Sequence, residues 1–118
     1  MKRILSIDGG GIRGLFALEV IRKIEAIVQQ EHGKSLHEYF DLIAGTSTGA
    51  IVASLLSWGY STSEIDRFYR DHAKTVFTRA PFSKRHRHHY TGGPLGELLQ
   101  SYFRESDGSL ATFGSDSL

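Results

Sequence analysis

Three observations predict an α/β fold built on a parallel sheet. Two short apolar runs, residues 3–7 (RILSI) and 40–44 (FDLIA), are separated by a stretch whose apolar residues recur at helical spacing. Each run ends in a glycine-rich turn, GGGIRG after the first and GTSTG after the second. A helical pattern follows each turn. Strands joined by a helix of this length pair in parallel through a right-handed crossover. Helices covering such a sheet give a three-layer α/β/α arrangement.

Composition narrows the class further. With 118 residues the chain is one small domain at most, and residues 1–118 are read as one. A net charge of +1 predicts no global attraction to nucleic acid or to an anionic membrane. The absence of cysteine excludes disulfides and thiolate metal sites. Met1, Lys2 and Arg3 look like the start of a secretion signal, but Ser6 and Asp8 interrupt the apolar stretch that follows. No signal peptide is therefore expected. The longest apolar stretch, residues 50–56, is too short to span a bilayer. A cytoplasmic protein is the expectation.

Taken in order, residues 3–7 form the first strand, which ends at Asp8, and residues 9–14 the glycine loop. Residues 15–30 form a helix with Leu15, Leu18, Ile21 and Ile24, joined by Val20, Ile27 and Val28, on its apolar side. Glu19, Arg22, Lys23 and Glu25 take the other face, and Gly33 ends the helix. Residues 35–39 read as a connecting turn into the second strand. The helix after GTSTG reaches Trp58, and Gly59-Tyr60 turns the chain. Ser61 or Thr62 then caps a helix running to Phe77, with Ile65, Phe68, Tyr69, Ala73 and Val76 buried. Residues 78–94 break the pattern and read as an exposed loop. Residues 95–103 form a short amphipathic helix and residues 104–109 a polar turn. No internal repeat or second domain is visible.

The chemistry gathers at the two turns. Gly45-Thr46-Ser47-Thr48-Gly49 matches Gly-x-Ser-x-Gly between a strand and a helix, the pattern of a nucleophile elbow. There a strained turn holds the serine hydroxyl clear of the backbone, and glycines two residues either side let strand and helix pass closely. The helix dipole favours negative charge near Ser47. The plainer alternative is that the serine only caps an ordinary crossover helix. Gly9, Gly11 and Gly14 also satisfy the dinucleotide-binding pattern G-x-G-x-x-G. That reading wants an acidic residue after the second strand, where Ala44-Gly45-Thr46-Ser47 stands, and a P-loop wants lysine where Leu15 stands. A third option is that the amides of Gly9, Gly10 and Gly11 form an anion-holding nest. Adjacent parallel strands end at one sheet edge, so the nest would face the serine. A nucleophile beside oxyanion donors is what acyl transfer requires. Arg13 adds positive charge at the nest or is an ordinary surface arginine.

With these motifs the chain resembles the patatin-like phospholipase family. The run from Asp8 through Gly14 looks like that family's oxyanion loop, and residues 40–49 look like its elbow and the strand before it. A weaker likeness extends over Tyr90, Leu95, Leu98 and Phe113-Gly114. The resemblance implies lipid acyl hydrolysis by a Ser–Asp dyad, without a cofactor or metal. Its substrate would be a membrane lipid or another acyl ester, with peripheral membrane contact and homo-oligomerisation both compatible. Some bacterial members resemble defence effectors switched on by cyclic nucleotides, of which these residues carry no sign. Competing classes are a Rossmann-like nucleotide-binding module and a non-catalytic regulatory fragment.

A serine hydrolase with a triad would use a histidine, and the chain has six. His32 reads as a helix-end residue, and His37 and His72 as solvent-facing. Residues 84–89, which include His86, His88 and His89, could bind a metal or acidic headgroups, but a solvated loop is favoured. The dyad aspartate implied by the resemblance should come from Asp-Gly-Gly or Asp-Gly-Ala at the end of a later strand. Asp107-Gly108 is followed by Ser109 and lies in a polar turn. Asp8 opens the glycine loop, Asp41 falls inside the second strand, and Asp66 and Asp71 lie on a helix face. The expectation is therefore an incomplete domain: the N-terminal part of a longer hydrolase, or a truncated relative, inactive alone.

Overall fold

The structure, a computed structural model, describes residues 1–11, 14–77, 92–104 and 107–110. Its elements are β1 (Ile4–Ile7), α1 (Gly14–His32), α2 (Leu36–Tyr39), β2 (Leu42–Gly45), α3 (Thr48–Ser57), α4 (Thr62–Phe77) and α5 (Gly92–Tyr102). The chain divides into two compact units, Met1–Arg70 and Asp71–Leu118.

In the first unit β1 and β2 pair in parallel, from Ile4 opposite Leu42 to Ile7 opposite Gly45, with α1 in the crossover. Side chains alternate across this ribbon. Leu5, Ile7 and Ile43 turn inward, and α3 lies against both strands. On the other face Ile4 and Leu42 remain 62% and 53% exposed. The core draws on Leu18, Ile21 and Val28 of α1, Val52, Leu55 and Leu56 of α3, and Ile65, Phe68 and Tyr69 of α4. Each fully buried side chain of this kind contributes about 1.5–3 kcal/mol.

Several boundaries and faces differ from the sequence reading. Residues 36–39, expected as part of a connecting turn, form a single turn of helix. The Glu38 carboxylate accepts the Ser35 hydroxyl at 2.6 Å and the Ser35 N–H at 2.8 Å, and these bonds hold its pKa below the usual range. β2 begins at Leu42, so Asp41 precedes the strand. There its carboxylate accepts the Arg3 N–H at 2.8 Å and pairs with Lys2 at 3.0 Å. Val20 and Ile27 are exposed together with Phe16. α1 is apolar on two opposite sides, and α2 and α3 pack against one of them. Glu25 does not simply face water: its carboxylate accepts the N–H of the fully buried Thr62 at 3.1 Å, and also the Thr62 hydroxyl. A side chain of α1 thus satisfies the start of α4, while Ser61 and Glu64 close a capping box at the same end.

In the second unit Ala73 is exposed, and His72 is half-buried instead of solvent-facing. His72 has φ −119° and ψ 16°, a break in the helical backbone, and its Nε2 lies 3.1 Å from the Tyr102 hydroxyl. α5 starts at Gly92, earlier than expected, because Pro94 fits the first turn of a helix without losing an internal hydrogen bond. Arg104 and Leu110 form an isolated antiparallel bridge, and the Arg104 guanidinium donates to the Gly108 carbonyl at 2.8 Å. The basic loop at residues 84–89, Tyr90 and Phe113-Gly114 lie outside the described residues. Among the described residues no helix is long and apolar enough to cross a membrane.

Candidate active site

Ser47 stands between β2 and α3 with φ 53° and ψ −128°. It is the only non-glycine residue with positive φ among the described residues. Such a backbone costs about 1–3 kcal/mol and persists only where its surroundings impose it. Here the backbone closes on both sides: the Gly49 N–H donates to the Thr46 carbonyl and the Ala50 N–H to the Ser47 carbonyl, each at 2.9 Å. Ser47 occupies the N-cap position, yet its hydroxyl makes no capping bond and its side chain is exposed. Simple capping does not describe this serine.

The glycines around it are required by close approach. A Cβ on Gly45 would lie 2.3 Å from the Gly49 carbonyl oxygen, and one on Gly49 would lie 2.3 Å from the Ile7 carbonyl oxygen. A Cβ on Gly9 would meet the Thr46 carbonyl oxygen at 2.3 Å and the Ser47 Cβ at 2.6 Å. All of these are far inside van der Waals contact, so the loop after β1 sits directly on the turn that carries Ser47. Gly10 and Gly11 have φ of 144° and 62°, conformations that side chains rarely adopt. Asp8 is exposed at the end of β1, Gly14 opens α1, and Arg13 lies outside the described residues.

Two threonines flank Ser47, and each touches the glycine loop. Thr46 Oγ1 accepts the Gly9 N–H at 3.3 Å. Thr48 Oγ1 donates to the Gly11 carbonyl at 3.3 Å, and Thr48 itself is buried. The Thr48 backbone carbonyl accepts the hydroxyl of Tyr69 at 3.0 Å. Burial pushes the Tyr69 phenol far above its ordinary pKa, so it remains a protonated donor. Tyr69 is a contact that sequence reasoning missed: a buried helix position was legible, but nothing local shows where its hydroxyl points.

Of the described aspartates of this unit, Asp41 and Asp66 are committed elsewhere, while Asp8 is exposed. The Asp41 carboxyl is held below its usual range by the Arg3 N–H and by Lys2. Asp66 accepts from Arg70 Nε at 2.7 Å and lies 3.8 Å from Arg22. In the second unit Asp107 is held low by the Ser109 side chain and N–H, the latter at 2.9 Å. His32 stacks on Tyr39 at 4.9 Å, and His37 is exposed. Among the described residues no group of three or more His, Asp or Glu side chains is placed to hold a metal ion.

A strained serine on a strand–turn–helix elbow, packed against a glycine loop from the neighbouring parallel strand, defines an α/β protein of the serine-elbow class. Within that class the chain belongs to the patatin-like phospholipase family, whose sequence profile matches residues 5–115. It is 38% identical over 101 residues to a cGAMP-activated phospholipase of Vibrio cholerae, covering 79% of this chain and 28% of that protein. It is 42% identical over 76 residues to a cUMP-AMP-activated phospholipase of Escherichia coli, covering 64% of this chain and 22% of that one. A calcium-independent phospholipase A2-gamma of Rattus norvegicus is 44% identical over 78 residues, 65% of this chain and 10% of its own length. The chain therefore spans well under a third of these relatives. No solved structure matches it. The family match does not favour the nucleotide-binding alternative for the Gly9, Gly11 and Gly14 loop.

Proposed function

We propose that this chain carries the nucleophile and oxyanion loop of a lipid acyl hydrolase, with Ser47 as nucleophile. The observation that supports this most is the strained Ser47 backbone, whose hydroxyl is not spent on capping and whose Cβ is packed against Gly9. Ser47 Oγ attacks the carbonyl carbon of an acyl ester as its proton passes to a base. The carbonyl oxygen takes up negative charge, and the alcohol leaves as the carbonyl re-forms on the serine. Water then releases the fatty acid and regenerates Ser47. The developing oxyanion is held by amides of the glycine loop and favoured by the N-terminus of α3. The Gly9 N–H already serves Thr46, so Gly10 and Gly11 are assigned the donor role and Gly9 the seating of the loop. The base is an aspartate, as the family resemblance implies. Relatives described as phospholipases support a lipid ester, met at a membrane surface, as substrate.

A fluorophosphonate probe incubated with the full-length protein should label Ser47, and Ser47→Ala should abolish both labelling and ester turnover. Labelling of Ser47→Ala at the wild-type rate would sink the assignment.

A further inference from the structure

We infer that Thr48 is a positioning residue for the reaction, latching the glycine loop to the elbow while its own backbone is held by Tyr69. The inference rests on the reading of Ser47 as nucleophile. Thr48 follows the serine directly and bonds at both ends: its hydroxyl reaches the Gly11 carbonyl and its carbonyl receives the Tyr69 hydroxyl. A threonine hydroxyl inside a helix ordinarily turns back to a carbonyl of its own preceding turn. At the first residue of α3 that carbonyl belongs to β2, and the hydroxyl is spent on the loop from β1 instead.

The consequence is chemical. Glycine peptides rotate at low cost, and Gly10 and Gly11 both sit at positive φ. The Gly11 carbonyl belongs to the peptide after Gly11. Its bond to Thr48 anchors the Gly11 backbone from its far side and restricts the rotation that would turn the Gly11 N–H away from an oxyanion. Tyr69, packed in the core of the same unit, keeps Thr48 from following the loop if it moves. The latch acts on the geometry of the oxyanion site and not on substrate binding, so it should appear in kcat and leave KM alone.

The test compares Thr48→Val, Thr48→Ser, Tyr69→Phe and Ser47→Ala in the full-length protein, with kcat expressed per serine titratable by fluorophosphonate. Thr48→Val keeps the shape and removes the hydroxyl; kcat should fall about tenfold or more with KM unchanged. Thr48→Ser restores the hydroxyl and should recover most of the loss. Tyr69→Phe should lower kcat several-fold, and it carries the test if Thr48→Val does not fold. Wild-type kcat in a folded Thr48→Val or Tyr69→Phe, with Ser47→Ala inactive, overturns the latch and leaves the nucleophile standing. Turnover by Ser47→Ala overturns both.

Discussion

At the residue scale, one contact decides whether a glycine is replaceable. Gly49 and Gly96 are both helical, but a Cβ at Gly49 would sit 2.3 Å from a β1 carbonyl, whereas at Gly96 it would meet nothing within 4 Å. Gly49→Ala should therefore force the strand and α3 apart and lower stability by about 1–3 kcal/mol. Gly96→Ala should raise stability by about 0.5–1 kcal/mol, because alanine loses less backbone entropy in a helix. Urea midpoints measured on both variants check the contrast, and equal shifts in the same direction would contradict it. Much of the site is legible in the sequence at this scale. Ser47 and its flanking glycines announce themselves because a sharp strand–helix turn demands small residues at fixed offsets. The partners of Thr46, Thr48 and Tyr69 are not legible, since each bond joins residues 21 to 37 positions apart.

At the element scale, periodicity identified the strands and long helices because burial on one face sets the spacing of apolar residues. It failed where a helix is apolar on two sides, as Val20 and Ile27 show, and where a short element depends on one side chain. Residues 35–39 looked like a turn because a single helical turn has no periodicity; Glu38 folding back on Ser35 makes it helical. The same device starts α4. There the Glu64 carboxyl is held below its usual range by the Ser61 N–H and then the Ser61 hydroxyl. The folded chain therefore keeps Glu64 charged to lower pH than the unfolded chain does. Its contribution is complete above the ordinary pKa of about 4.5 and is lost as pH falls through the lower folded value. Ser61→Ala should cost about 1 kcal/mol at neutral pH and lose less stability than wild type between roughly pH 5 and pH 3. Denaturation curves across that range test it, and parallel pH profiles for the two proteins would count against the capping box.

At the scale of the whole molecule, the exposed apolar surface and the fate of the carboxylates bear on the same point. One face of the β1–β2 ribbon exposes Ile4 and Leu42, and α1 exposes Phe16, Val20 and Ile27. Apolar side chains left exposed on a sheet face and on the outer side of its crossover helix are the kind of surface that further protein covers. A general base must also come within about 3 Å of the serine hydroxyl. Of the described aspartates, three are already held, Asp41 by Lys2 and Arg3, Asp66 by Arg70 and Asp107 by Ser109, while Asp8 and Asp71 are exposed. We therefore propose that residues 1–118 need further protein to cover the open faces and to supply the dyad aspartate. The purified 118-residue chain should bind a dye for exposed apolar surface and hydrolyse a p-nitrophenyl acyl ester no faster than its Ser47→Ala variant. Ser47-dependent turnover by this chain alone would mean that one of its own carboxylates or histidines completes the site.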